Sequence, residues 1–150
     1  MKHLIYLLLV RDVLNLAALS LLAWIRHSLL ALITRVAIAM VFLQSGRSKV
    51  DGWLTLKDST YSLLREQLAL LPPELVAPVI VYTEHLFAAL LIVGFLTRFS
   101  AIALLVLTLM TQVLLMPAAW LSHLTWAALL LFIIGRGAGR ISLDHALGLH

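Results

Sequence analysis

The chain of 150 residues contains no cysteine and very little charge. Without cysteine it can form no disulfide, no thiol-based active site and no cysteine-ligated metal centre of its own. Charged residues make up 12% of the chain and hydrophobic residues 63%, whereas a soluble domain is about 25% charged and about 45–50% apolar. So little charge cannot cover a globular surface in water, and so apolar a chain is not disordered. The composition therefore predicts an integral membrane protein.

Basic residues outnumber acidic ones among the few charged residues, and the formal net charge is +4. In membrane proteins, Lys and Arg collect at the cytoplasmic ends of the spans and contact anionic lipid headgroups. We therefore expect the basic residues to face the bilayer surface rather than nucleic acid.

Four apolar stretches are long enough to cross a bilayer as helices, which takes about 20 residues. They run over approximately 28–44, 78–96, 99–115 and 120–134. The last two connections are short, so consecutive helices must be antiparallel. Residues 28–150 are therefore predicted to form an all-α, four-helix, up-and-down membrane bundle.

The first 27 residues form a separate segment with a different pattern. Arg11, Asp12, Asn15 and Arg26 fall on one face of a helix at ~100° per residue. A polar face on an otherwise apolar helix is typical of a helix lying in the membrane interface, which is the placement we predict. A fifth span and a cleaved signal peptide are the alternatives.

The one substantial polar segment lies between the first two spans, from Ser45 to Ala77. Asp51-Gly52 is a turn signal, and Asp58-Ser59 is expected to cap a short helix that runs to about Leu70. This amphipathic helix is predicted to lie across one mouth of the bundle as a lid.

Two ionisable residues, Arg35 and Glu84, lie within predicted spans. Such a residue costs ~2.5–3.5 kcal/mol on insertion scales and usually has a partner. At ~1.5 Å of rise per residue, their depths differ by roughly 5–10 Å, which a long arginine side chain can bridge. We therefore predict a buried Arg35–Glu84 ion pair. There are two alternatives. The pair serves only to fix the register of the two helices, or the Arg35 side chain extends to the lipid headgroups instead.

Glu84, His85, Gln112 and His123 are predicted to lie at similar depth under the lid. One interpretation is an interfacial belt with interhelical hydrogen bonds. The other is a polar pocket with apolar walls, suited to a quinone headgroup. Imidazoles near a carboxylate can also exchange protons or hold haem, although the pattern favours quinone over haem. The spacing predicts no metal site and assigns no catalytic residue.

Several short patterns follow one another along the chain. They are an early arginine in the first span, a closing S-G-x-x-K, a following tryptophan, a glutamate in the second span, a G-x-x-T-R turn, a histidine in the fourth span and a final S-L-D. The residues that carry them are Arg35, Gly46, Lys49, Trp53, Glu84, Gly94, Arg98, His123, Ser142 and Asp144. Together these patterns resemble those of the DoxX family of membrane proteins.

The resemblance implies a four-helix membrane fold and a place in membrane redox or oxidative-stress systems. The family's founding member is similar to a small subunit of a terminal quinol oxidase, and other members accompany superoxide dismutase. An accessory, non-catalytic subunit is therefore expected, in a bacterial-type cytoplasmic membrane, as an oligomer or in complex with other membrane or redox proteins. The residues alone leave two alternatives open, namely a scaffold or assembly factor and a small carrier or channel.

The distribution of basic residues predicts the orientation of the bundle. With four spans, six basic residues share a side with both termini, and four lie on the lid side, where acidic residues balance them. Both termini are therefore expected in the cytoplasm. Reporter fusions at Asp58 and after His150 should give outside and inside signals respectively. The reverse result would contradict the orientation, and two signals from the same side would contradict the number of spans.

Overall fold

The structure is a computed structural model that describes residues 2–24, 27–52, 54–68 and 72–149. A two-stranded antiparallel hairpin, β1 (Val50–Asp51) and β2 (Thr55–Leu56), follows the second helix. The helices are α1 (Lys2–Trp24), α2 (His27–Ser48), α3 (Asp58–Gln67), α4 (Pro73–Val93), α5 (Thr97–Met110), α6 (Trp120–Arg136) and α7 (Leu143–Ala146).

Within the described residues, four helical segments are long and apolar enough to cross a membrane. They are His27–Ser48, Pro73–Val93, Thr97–Leu115 and Pro117–Arg136. The third includes α5 and a π-helical turn, and the fourth begins with a 3-10 turn before α6. In the bundle α2 packs on α4, α4 on α5, α5 on α6, and α6 on α2. The predicted all-α, four-helix membrane bundle is confirmed.

Small residues allow the helices of the bundle to approach closely. Ala39, Ala77, Ala88 and Ala101 are all fully buried. Lipid is as apolar as leucine, so helices in a membrane associate through such close packing rather than through the hydrophobic effect. The large apolar residues outside this core lie on the outer surface, where lipid can cover them; examples are Leu86, Val106 and Leu131.

Helix α1 precedes the bundle, and its described side chains, at residue 6 and from residue 10 to 20, are all exposed. Arg11 and Asp12 pair with each other at 2.8 Å on its surface. The charges of Arg11 and Asp12 therefore satisfy one another on the helix surface, without a partner from the bundle. The interfacial placement of α1 stays a prediction.

Helix α4 begins at Pro73, not near Pro78 as its hydropathy suggested. Proline is well suited to a first helical position, because the N–H it lacks would have no partner there. Pro78 lies inside the helix, which continues through it at the cost of one backbone hydrogen bond. The helix ends at Val93 because Gly94 adopts a left-handed conformation with φ 75° and donates its N–H to the Leu90 carbonyl.

The lid helix α3 runs from Asp58 to Gln67, and its expected end near Leu70 lies outside the described residues. Lys57 precedes it, and no side chain caps its first turn, contrary to the expected Asp58-Ser59 cap. Instead, the hydroxyl of Thr60 donates to the Lys49 carbonyl at 2.9 Å, which fixes the lid to the end of α2. We call this side of the bundle the lid end.

The opposite side, formed by the α4–α5 turn and residues 137–149, is the C-terminal end. There the Asp144 carboxylate accepts hydrogen bonds from the N–H groups of Leu96 at 2.7 Å and Thr97 at 2.9 Å. The N–H of Asp144 donates in turn to the Gly94 carbonyl at 2.8 Å. Asp144 therefore caps α5 and holds the tight turn, in which Leu96 has a positive φ of 48°.

A substitution at Gly94 tests this packing. A Cβ there would lie 1.7 Å from Nη1 of Arg35 and 2.6 Å from Cβ of Ser142. Gly94→Ala should therefore lower the free energy of unfolding in two ways. Alanine in the left-handed conformation costs ~1–2 kcal/mol, and the clash of its Cβ costs a further ~1–3 kcal/mol. Gly148→Ala is the matched control, since Gly148 has φ 70° and no atom within 4 Å. Equal losses for the two variants, measured by unfolding in detergent, would contradict the packing of Arg35 beneath Gly94.

Candidate ligand cavity at the lid end

A cavity of about 300 Å³ lies beneath the lid, between α2, α3, α4, α5 and α6. Its walls are mainly apolar. They include Phe42, Leu64, Leu107 and Trp126, while hydroxyl groups of α2 and the lid line its rim. A cavity with apolar walls and a few polar groups is the usual form of a small-molecule site.

An ion pair between Lys49 and Glu84 lies at the mouth of this cavity. Nζ of Lys49 donates to Oε1 and Oε2 of Glu84 at 2.6 and 2.8 Å. The Ser45 hydroxyl donates to the same carboxylate at 3.0 Å and accepts from Nζ at 2.8 Å. The Glu84 side chain is 6% exposed and that of Lys49 is 27% exposed. This cluster therefore joins the end of α2 to the middle of α4.

The predicted Arg35–Glu84 pair is therefore wrong, because Lys49 is the partner of Glu84. Arg35 is fully buried at the other end of the bundle, where its guanidinium donates to the Ile141 carbonyl. The reason is the direction of helical side chains, which lean towards the N-terminus of their own helix. Since α2 and α4 are antiparallel, Arg35 leans towards the C-terminal end and Glu84 leans towards the lid.

His123 lines the cavity from α6, where it is buried. Its Nδ1 lies 2.6 Å from Oε1 of Gln112, whose Nε2 donates to the Pro117 carbonyl at 2.9 Å. That carbonyl can only accept, so it fixes the amide orientation and places the imidazole proton on Nδ1. Nε2 of the neutral ring is then an acceptor, and it has no hydrogen-bond partner among the described residues.

Gln112 reaches His123 from the π-helical turn, Thr111–Leu115, that ends the third span. A π-helical turn widens the backbone spacing and redirects the side chains that follow it, and such turns are frequent at functional sites. Gln112 does not line the cavity itself. It orients the histidine that does.

His85 lies outside the cavity, although its neighbour Glu84 lines it. Nδ1 of His85 bonds to the Val81 carbonyl at 2.8 Å. Its ring covers Gly46, where an added Cβ would lie 2.5 Å from Cε1. Successive helical residues point about 100° apart, so one of the two faces the cavity and the other packs α4 against α2.

An aromatic cluster completes the wall beside His123. The rings of His123 and Trp126 meet edge to face with centroids 4.9 Å apart. Trp126 meets Phe42 in the same manner at 6.0 Å. These contacts hold the imidazole at a defined angle and give the cavity a flat aromatic side.

Sequence reasoning missed the role of Lys49 and Ser45. The family resemblance singles out Lys49 but gives it no partner, and the sequence patterns give Ser45 no role beyond the start of the polar segment. The signal was available, because residues four apart lie on the same face of a helix. A lysine and a serine with that spacing, at the end of α2, can face a glutamate on the adjacent helix.

The remaining described residues of the DoxX-like patterns lie at the C-terminal end, away from the cavity. Gly94, Ser142 and Asp144 meet at the C-terminal end, where Ser142 caps α7 by accepting the His145 N–H at 3.2 Å. Arg98 lies at the same end. Trp53 lies outside the described residues.

The fold and the cavity define a four-helix integral membrane protein with a buried ion pair at one mouth. The DoxX family model matches residues 30–117, which is more than half of the chain. The chain belongs to the DoxX family, as its short patterns predict. No curated protein and no solved structure matches it. The matched region includes Arg35, Lys49 and Glu84 and ends before His123 and Asp144.

Double-mutant measurements test the assignment of the ion pair. Lys49→Met strands the buried Glu84 carboxylate and should lower the free energy of unfolding by ~3–5 kcal/mol. Glu84→Gln should cost less, since the Lys49 side chain retains access to solvent. The Lys49→Met/Glu84→Gln variant should regain part of the loss.

The matched control is Arg35→Met combined with Glu84→Gln. These two losses should be additive, because the two residues lie at opposite ends of the bundle and share no contact. Rescue of Glu84→Gln by Arg35→Met, or strict additivity for Lys49 and Glu84, would contradict the pairing seen in the structure.

Proposed function

We propose that this protein is an accessory, non-catalytic subunit of a membrane redox or oxidative-stress system, and that it binds the headgroup of a quinone, preferentially as quinol, in the lid-end cavity. The observation that carries the proposal is the cavity itself, with Glu84 and His123 on its wall. These residues come from α4 and α6, which occupy diagonal corners of the bundle.

The shape and walls of the cavity suit a flat amphipathic ring. Its volume of about 300 Å³ is at the lower end of the range for ligand sites, about 300–1,000 Å³. Trp126 and Phe42 supply aromatic faces, and Leu107 and Leu115 supply aliphatic contacts. An apolar ring can fill this space while its two oxygen atoms reach the polar groups.

The polarity of the hydrogen-bonding groups favours the reduced form of the ligand. Glu84 accepts three hydrogen bonds, from Lys49 and Ser45, and a carboxylate has about four acceptor positions. Nε2 of His123 is also an acceptor. A quinol has two hydroxyl donors on opposite edges of its ring, whereas a quinone has only carbonyl acceptors. Two acceptors on diagonal helices therefore complement the quinol.

The interior of the bundle supports binding rather than transport. Ile38, Leu104 and Leu130 are fully buried and fill the bundle between the cavity and the C-terminal end. A carrier or channel needs a polar path through that layer. The chain has no cysteine, so any thiol chemistry of such a system comes from a partner subunit, and the role that we propose for this chain is to hold and orient the quinol.

Binding of a short-chain quinol and its oxidised form to the purified protein in detergent tests the proposal. The quinol should bind about tenfold more tightly than the quinone, because its hydroxyl groups donate to the two acceptors and this contributes about 1.4 kcal/mol of binding free energy. His123→Ala should remove most of this preference. His145→Ala, at the opposite end of the bundle, is the control and should bind as the unaltered protein does. Equal binding of the two forms, or binding unaffected by His123→Ala, would overturn the assignment.

A further inference from the structure

A second and larger cavity, of about 800 Å³, lies at the C-terminal end of the bundle. The start of α2, the α4–α5 turn and the loop after α6 form its walls. It lies at the opposite end from the cavity proposed to bind quinol, and it takes no part in that function. Its lining combines basic residues with apolar ones.

Three arginines line the cavity, and all three are exposed. They are Arg98, Arg136 and Arg140. Within the described part of the chain, no guanidinium of the three forms a salt bridge or a side-chain hydrogen bond. Three unpaired guanidinium groups around one cavity form a strong site for an anion, because their planar donors match the oxygens of a phosphate.

Among the described residues of the cavity wall, Asp144 is the one carboxylate, and it offsets only part of the charge of the three arginines. Its two oxygens are turned to the backbone N–H groups of the α4–α5 turn. Two histidines, His27 and His145, also line the cavity and carry no negative charge. Three guanidinium groups against one carboxylate leave the described lining with a positive net charge.

The apolar residues of the lining indicate which class of anion fits the cavity. Leu96, Phe99 and Leu149 line it and are 44%, 61% and 45% exposed. Arg98 and Arg136 lie at the ends of two spans, at the level where lipid phosphates lie in a bilayer. A soluble phosphate ester would contact only the arginines, whereas a phospholipid would contact the arginines with its phosphate and the apolar residues with its acyl chain.

We propose that this cavity binds an anionic phospholipid, with the headgroup phosphate on Arg98, Arg136 and Arg140 and an acyl chain against Leu96 and Phe99. The phosphate supplies a counterion that these three arginines do not find among the described residues.

Thermal unfolding in detergent with added lipid tests the proposal. Phosphatidylglycerol should raise the melting temperature, while phosphatidylcholine and glycerol phosphate at the same concentration should not. The triple variant Arg98→Gln/Arg136→Gln/Arg140→Gln should lose this stabilisation. Because all three side chains are exposed and form no ion pair with another described residue, the variant should retain the fold. Arg98→Lys/Arg136→Lys/Arg140→Lys keeps the charge and should retain part of the effect.

The matched control removes three basic residues from the lid end, in Arg47→Gln/Lys57→Gln/Arg65→Gln. It should respond to phosphatidylglycerol as the unaltered protein does. Equal loss in the two triple variants would show a general charge effect and overturn the site. Stabilisation by glycerol phosphate equal to that by the lipid would assign the cavity to a soluble phosphate ester and overturn the lipid assignment.

Discussion

A charge inside a bilayer needs a partner from its own chain, and the Lys49–Glu84 pair shows how this protein meets that need. Hydrocarbon cannot hydrate a carboxylate, so Glu84 is stable on α4 only because Lys49 and Ser45 reach it from α2. The same contact joins the end of α2 to the middle of α4 and forms part of the cavity wall. The lid begins from this point as well, through the bond of Thr60 to the Lys49 carbonyl.

The C-terminal end holds its buried charge differently. Arg35 is buried against Gly94 and donates from Nη2 to the Ile141 carbonyl, while its Nε and Nη1 have no hydrogen-bond partner among the described residues. Asp144 caps α5 beside it. Polar contacts therefore hold each end, while alanines and large apolar side chains pack the middle. This division separates two cavities of different character, one enclosed and mainly apolar, the other open and basic.

The number, order and antiparallel arrangement of the spans follow from hydropathy and short connections, and the structure has them. The choice of ion partner does not follow from depth alone. It depends on the direction in which each side chain leans, and that direction is reversed between the antiparallel α2 and α4. Hydropathy also misplaced the start of α4, since the first turn, at Pro73 and Glu74, precedes the apolar run.

The cavity was predictable only in outline. Glu84 and His123 share its wall, as their similar depth predicts. The π-helical turn that directs Gln112 towards His123 has no signature in a 3.6-residue periodicity, so its supporting role was not predictable. His85 covers Gly46 outside the cavity, because one helical face cannot present two successive residues.

Solid-state NMR can measure the central contact directly, because the chain has only three lysines and three glutamates. With ¹⁵N at lysine Nζ and ¹³C at glutamate Cδ, protein in bilayers should show one strong dipolar coupling, since Nζ of Lys49 lies 2.6 and 2.8 Å from the two oxygens of Glu84. Lys49→Met should abolish that coupling. Its absence from the unaltered protein, or its persistence in Lys49→Met, would contradict the account.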